Sequence, residues 1–282
     1  MHPLSPLSPL PTLSPQTMPA GQPAETVSCL EAPTAAVQQI FSSVQGEGPY
    51  VGCRQIFVRF NGCHLRCRYC DTPAQPAQAP CLVETTPGSG CLESLPNPVA
   101  ADTMLYWLSR LHRQARHHSV SLTGGEPLLH HRFLAQVLPT WRALLPIYLE
   151  TSGTQPELLE TVLGQVDMVA MDIKLPSTTG EAWFVEAQQA FLTRCRQAGV
   201  ATFIKLVVND QTTLEELTVV RQIVSTPGGG SIPIVLQPET ALDGPLRVNL
   251  SPAHAMRLLG ELEAHYDDVR LIPQTHKMVA IL

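Results

Sequence analysis

Asn61-Gly62-Cys63-His64-Leu65-Arg66-Cys67-Arg68-Tyr69-Cys70-Asp71-Thr72 separates three cysteines by three and then two residues. That spacing lets three thiolates wrap three corners of an iron–sulfur cubane. A fourth cysteine would close the cluster for electron transfer alone, and none follows at ferredoxin spacing. One iron is left open for a substrate or cofactor. The competing reading is a zinc site with His64 as fourth ligand. His64 adjoins Cys63, which makes wrapping one ion awkward, and the second paired cluster of a zinc ribbon is missing.

Outward from this segment, apolar runs alternate with amphipathic stretches. Strands are predicted at Val37–Phe41, Gln55–Phe60, Ser119–Leu122, Ile147–Glu150, Met168–Asp172, Thr202–Val207, Pro233–Leu236 and Val269–Ile272. They are short and apolar or β-branched on both parities, as strands buried on two faces should be. Helices are predicted at Asp102–His117, Arg132–Leu144, Pro156–Leu163, Glu181–Ala198, Thr213–Val224 and Ser251–His265. Thr213 with Glu216 forms a capping box, and Ser251-Pro252 is a strong helix start. This alternation implies right-handed βαβ units and a mostly parallel α/β sheet.

Polar or glycine-rich segments follow the predicted strand ends: Thr123-Gly124-Gly125-Glu126-Pro127, Glu150-Thr151-Ser152-Gly153, Asp172-Ile173-Lys174, Val208-Asn209-Asp210 and Gln237-Pro238-Glu239. Carboxyl ends of parallel strands converge on active sites. Any one segment alone is as well explained by a plain turn or helix cap. Five at one edge are not.

The chain has 282 residues, a 44% apolar content and a formal net charge of −6. That balance suits a soluble enzyme and argues against a nucleic-acid partner, which would require a basic face. No apolar run is long enough to span a bilayer. The opening stretch, residues 1–35, is Pro- and Ser-rich and reads as an extended tail, without the basic start of a secretory signal. A cytoplasmic location is the default. The catalytic domain is assigned to residues 36–282. Within it, 74–98 is rich in Pro, Gly, Ser and Thr and reads as a flexible insertion. Cys81 and Cys91 lie in that insertion. Like Cys29, Cys53 and Cys195 they read as incidental or buried thiols rather than a second metal site.

With Tyr69 before Cys70, the three cysteines and the Gly124-Gly125-Glu126 run resemble the radical S-adenosylmethionine (SAM) superfamily. A narrower resemblance precedes the cluster. Ile40-Phe41-Ser42-Ser43-Val44-Gln45-Gly46-Glu47-Gly48-Pro49, then Ile56-Phe57-Val58-Arg59-Phe60-Asn61-Gly62, looks like the 7-carboxy-7-deazaguanine synthase family of the queuosine and deazapurine pathways. The resemblance runs from Ile40 to the end, the insertion excepted. It implies a partial (β/α) barrel of the radical SAM type with mostly parallel strands, truncated or distorted. It implies a 4Fe–4S cluster on Cys63, Cys67 and Cys70, with SAM and Mg²⁺. The implied reaction is the ring contraction of 6-carboxy-5,6,7,8-tetrahydropterin to 7-carboxy-7-deazaguanine, with loss of ammonia. It further implies a homodimer and an electron donor such as flavodoxin or ferredoxin.

Carried residue by residue, the resemblance assigns Val44, Gln45, Gly46, Glu47, Arg59 and Thr123 to the substrate. It assigns Tyr69, Cys70, Asp71, Gly124, Gly125, Glu126, Ser152, Lys174, Gln237 and Pro238 to SAM, and Thr72 to Mg²⁺. Arg59 suits a carboxylate because guanidinium matches it as a bidentate fork. The bland readings are a turn cap for Glu47, a solvent-facing strand residue for Arg59 and a helix cap for Thr72. Two departures stand out: the long insertion, and Ile173-Lys174-Leu175-Pro176-Ser177 in place of the SPKPPS-like run of some members. An activase with the same cluster, or a non-catalytic iron–sulfur or zinc module, would not need Gln45–Glu47 or Arg59.

Overall fold

Residues 32–72, 75–76, 78–225, 231–243 and 246–281 are described by the computed structural model. The Pro/Ser-rich opening through Glu31 lies outside them. Strands are β1 (Thr34–Ala35), β2 (Val37–Val44), β3 (Arg54–Phe60), β4 (Cys81–Glu84), β5 (Leu92–Leu95) and β6 (Val99–Ala100). They continue with β7 (Ser119–Gly124), β8 (Ile147–Thr151), β9 (Met168–Asp172), β10 (Ala201–Val208), β11 (Ile234–Pro238) and β12 (Val269–Leu271). Helices are α1 (Ala101–Gln114), α2 (His131–Leu144), α3 (Pro156–Glu160), α4 (Pro176–Thr179), α5 (Val185–Gln197), α6 (Leu214–Val224), α7 (Pro252–Glu263) and α8 (Thr275–Met278).

Ten strands form one sheet in the order β12-β11-β10-β9-β8-β7-β3-β2-β4-β5. From β12 to β3 every pairing is parallel, and β2 then runs antiparallel to β3. The sheet is open: its two outermost strands, β12 and β5, do not pair with each other. The expected incomplete barrel is therefore an α/β sheet that does not close. Among the described residues no helix is long and apolar enough to cross a membrane.

The insertion is more ordered than its composition suggested. Its β4 and β5 form an antiparallel hairpin, and β4 pairs parallel with β2. Cys81 and Val83 of β4 are fully buried in the core. Two alternating apolar residues in a short strand were too weak a periodic signal against the surrounding Pro and Gly. Cys81 is thus a core thiol, pushed up to about 12 by burial, while Cys91 is exposed. The tail boundary also shifts, because Thr34 and Ala35 pair with β6.

Period-two alternation divides the sheet into two environments. On one parity, Ile56, Val58, Phe60, Val120, Leu122, Leu149, Val169, Ile204, Leu206 and Leu236 join the helices in one continuous core. Each such side chain contributes about 1.5–3 kcal/mol when withdrawn from water. On the other parity, Tyr148, Met168, Ala170, Phe203 and Val235 form a smaller apolar cluster. That second face is the floor of a cavity.

Candidate active site

One step beyond that floor, toward the strand carboxyl ends, the same parity carries polar residues. They are Arg59 (β3), Thr123 (β7), Glu150 (β8), Asp172 (β9), Lys205 (β10) and Gln237 (β11), all lining one cavity. Register brings them into rungs: Arg59 faces Thr123 across β3–β7, and Lys205 faces Asp172 across β10–β9. The cavity is also lined by Cys63, Cys67 and Cys70, and by every other residue that the sequence assigned to cluster, SAM, substrate or Mg²⁺.

The cysteine loop is held mainly through its backbone. Arg68 N–H donates to Thr179 O (3.0 Å), Arg66 N–H to Glu181 Oε1 (2.6 Å) and Cys70 N–H to Cys67 O (3.1 Å). The Arg68 guanidinium donates to Ser177 O at 2.6 Å. Leu65 is buried and anchors the loop, whereas Cys63 and Cys70 are exposed. Residues 176–181, which begin within the departing 173–177 run and continue past it, are therefore the rest on which the loop sits. Burial pushes the Cys63 thiol up, and the Cys67 thiol up to about 11. Thiols so placed give up their protons when a cation takes them, which couples metal loading to proton release.

These residues fit the expected cluster: three thiols bounding one cavity, with no fourth cysteine among its lining residues. His64, the fourth ligand in the zinc alternative, is tied into a hydroxyl chain. Ser152 Oγ donates to Glu126 Oε2 (2.7 Å) and lies 2.9 Å from Thr154 Oγ1, which is 2.7 Å from His64 Nε2. With the Ser152 proton committed to Glu126, Thr154 donates to Ser152 and His64 Nε2 donates to Thr154. Nε2 is thereby committed to a hydrogen bond, and only Nδ1 would be left to meet an ion.

The glycines at the end of β7 serve close packing. A Cβ on Gly124, whose φ is +117°, would lie 2.2 Å from Phe60 O. One on Gly125 would lie 2.0 Å from Gly62 O. Their lack of side chains brings this turn against the backbone that leads into Cys63. Glu126 is buried, and its carboxylate accepts from Leu128 N–H, Thr151 Oγ1, Ser152 N–H and Ser152 Oγ. It braces the Thr151–Ser152 turn.

At the other end of the cavity, side chains do the holding. Gln45 donates to Gln55 Oε1 (3.2 Å) and Glu150 Oε1 (2.9 Å), and its own Oε1 accepts from Glu47 N–H (3.0 Å). Glu150 also accepts from Ser121 and Thr123. Glu47 accepts from Lys205 (2.8 Å), Gln274 (2.7 Å) and Gln237 (3.2 Å). Burial alone would push the Glu47 carboxyl up; Lys205, then the Gln274 amide and His276, overcome that and hold it at about 2. Lys205 is also 3.1 Å from Asp172 Oδ2, which accepts from Lys174 at 2.8 Å. Lys174 in turn donates to the Tyr69 hydroxyl (3.0 Å). Burial lowers the affinity of Lys174 for its proton, but Asp172 more than offsets this and holds it above the usual lysine range.

Arg59 is not a solvent-facing strand residue. Its Nη1 donates to Thr72 Oγ1 (2.8 Å), and its guanidinium lies 5.4 Å from the Phe41 ring centroid. Its Nε is buried without a partner. Thr72 therefore spends its hydroxyl on Arg59 instead of capping a helix. Asp71 pairs with Lys277 at 2.6 Å. Thr275 N–H donates to Gly46 O, and a Cβ on Gly46 would overlap His276.

Glu150, Lys205, Gln274 and His276 are cavity residues that the sequence did not assign. A charge inside an otherwise apolar strand, as in ATFIKLVV, was the available signal for Lys205. Gln274 and His276 follow the last strand and carry no local pattern. Gln237, expected at SAM, instead bonds Glu47 and sits at the junction of the two ends.

The chain matches the profile of the Radical SAM superfamily over residues 57–221. It is 41% identical over 258 residues to the 7-carboxy-7-deazaguanine synthase of Geobacter sulfurreducens, covering 90% of this chain and all of that one. The 7-carboxy-7-deazaguanine synthase of Archaeoglobus fulgidus is 34% identical, covering 86% of this chain and 97% of its own. Among solved structures, QueE from Escherichia coli superposes with a TM-score of 0.55 at 19% identity, over 86% of this chain and 94% of that chain.

Proposed function

The chain belongs to the 7-carboxy-7-deazaguanine synthase family of the Radical SAM superfamily, and from that premise we propose how its cavity contracts 6-carboxy-5,6,7,8-tetrahydropterin to 7-carboxy-7-deazaguanine. It is a radical SAM lyase acting on a small molecule. The observation that carries the reading is a single cavity holding both the three cysteines and the Gln45–Glu47, Arg59 and Thr123 set. When bound, the cluster and SAM supply a carbon radical that removes a hydrogen atom from the substrate.

The chain's own residues orient the reactants and exclude water. Arg59 takes the substrate carboxylate: Nη1 is held by the Thr72 hydroxyl, and the edge that carries the unpartnered Nε, with Nη2 beside it, is the fork a carboxylate can fill. Gln45, Glu47 and Thr123 meet the polar edge of the pterin, with the Val44 and Gly46 backbone beside them. Tyr69, Cys70, Asp71, Ser152, Lys174 and Pro238 surround SAM. Gly124, Gly125 and Glu126 shape that end by packing and bracing. Gln237 contacts whichever ligand reaches the junction.

Thr72 is the expected Mg²⁺ ligand, yet the residues present do not make a magnesium site by themselves. Its hydroxyl already accepts from a cationic guanidinium. Among the described residues no three His, Cys, Asp or Glu side chains converge on one point as ligands of a single ion, a closer approach than the corners of a cubane require. An ion there would draw its remaining ligands from substrate carboxylate and water.

An acidic one-electron carrier such as flavodoxin or ferredoxin would approach beside exposed Cys63 and Cys70, where Arg66 and Arg68 are also exposed. A homodimer is supported by exposed Leu271 on edge strand β12 and exposed Met278, Val279 and Ile281 near it in sequence. Free thiols and an oxygen-sensitive cluster suit a cytoplasmic location.

The test is anaerobic reconstitution, then incubation with SAM, dithionite and the carboxylated tetrahydropterin, with product identified by mass. The expected result is the deazaguanine acid. SAM cleavage without that product would remove the substrate assignment, and failure to load a cluster would remove the whole reading.

A further inference from the structure

We propose that Lys205 is a positioning residue coupling the two ends of the cavity, so that a pterin bound at Glu47 tightens SAM at the Lys174 end. This rests on the reading above that the two ligands occupy those ends.

Lys205 is a largely buried cation with its side chain 15% exposed, in the middle of β10. Its ammonium is shared between carboxylates from opposite ends, Glu47 Oε2 at 2.8 Å and Asp172 Oδ2 at 3.1 Å. Asp172 is unevenly served. Its Oδ2 carries both Lys205 and Lys174, while its Oδ1 is buried with no partner. A buried acceptor left unpaired is unfavourable. A second arrangement, with Lys205 given over to Asp172, is therefore close at hand.

Both ligands favour that second arrangement. Ring N–H donors of a pterin at Glu47 compete with Lys205 for the carboxylate, and the displaced ammonium settles on Asp172. Asp172 is then neutralised from the Lys205 side, which frees Lys174 for the polar groups of SAM. In the other direction, a SAM that draws Lys174 away leaves Asp172 to Lys205, and Glu47 is released to accept from the pterin. Two ligands that stabilise one state of a shared element bind with positive, reciprocal coupling.

The experiment is equilibrium dialysis on anaerobic, cluster-loaded protein without reductant, so that SAM binds but is not cleaved. In the unaltered protein the carboxylated tetrahydropterin is expected to lower the SAM Kd about fivefold, and SAM to lower the pterin Kd by the same factor. Lys205→Met should reduce both factors to below about twofold, whereas Lys205→Arg, which keeps a cation between the carboxylates, should retain more than that. Because Lys205→Met leaves two carboxylates facing each other, the charge-balanced pair Glu47→Gln with Lys205→Met is measured alongside and should also be uncoupled. Pterin that binds the unaltered protein without tightening SAM overturns the proposal. So does full coupling in either Met variant, or loss of all pterin binding in both, since Lys205 would then be a simple binding residue. Pterin that fails to bind the unaltered protein overturns the substrate assignment instead.

Discussion

The two ends of the cavity are built in opposite ways. Cys63, Cys67 and Cys70 lie within eight residues of one another, two of them are exposed, and their loop hangs on backbone bonds to Thr179 and Glu181. The Glu47 end draws on residues 45–47, 150, 205, 237 and 274, which meet through side-chain bonds between largely buried groups. The first end needs reach and spacing, which a short loop provides. The second needs buried charges brought face to face, and only a finished sheet supplies the low-dielectric frame in which they pair. Damage to the first should remove the cofactor and spare the fold. Damage to the second should appear in substrate affinity and acid stability.

The largest break is expected at the loop. Cys67→Ala should abolish the visible cluster absorbance and reduce turnover by at least about 1,000-fold, ~4 kcal/mol, while far-ultraviolet circular dichroism is unchanged. Retained absorbance would sink the assignment of the cluster.

Acid stability probes the other end. Glu47 is held at about 2 in the fold against an ordinary 4.5. A depressed carboxyl contributes stability that is fully present above about 4.5 and lost as pH falls toward 2. Glu47→Gln should therefore flatten the denaturant-measured stability curve across that window by about 2–3 kcal/mol. An unchanged slope would mean that the Glu47–Lys205 pair is not held in solution.

Arg59 separates the two ends kinetically. Arg59→Ala is expected to raise the pterin KM about 30-fold, ~2 kcal/mol, with substrate-free SAM cleavage altered less than about twofold. Equal loss of both would place Arg59 at the wrong end.

The smallest effect is the control. Arg142 and Asp167 pair at 2.8 Å, with the Arg142 side chain 45% exposed. Arg142→Ala should cost less than about 1 kcal/mol in thermal or denaturant unfolding and leave both ligand affinities alone. A larger cost would show that surface pairing contributes to this fold on the scale of the buried network.

What could be read from the chain follows the same division. All eight predicted strands appear, and each expected site residue lines the cavity. Period-two burial and motifs at strand ends are local properties that survive folding unchanged. The hairpin in 74–98 was hidden because its two buried alternating residues, Cys81 and Val83, are too few to register. Helix α5 starts at Val185, later than the predicted Glu181, because Glu181 serves the cysteine loop.

The sequence by itself determined the cluster loop, the α/β order and the edge of the sheet where chemistry gathers. Those depend on spacings of a few residues. Only the tertiary structure decided that Lys205 stands between Glu47 and Asp172, that Glu126 is spent bracing Ser152, and that Gln274 and His276 close the far wall. Such pairings join residues 26 to 227 positions apart. They depend on strand register and burial, which no local pattern encodes.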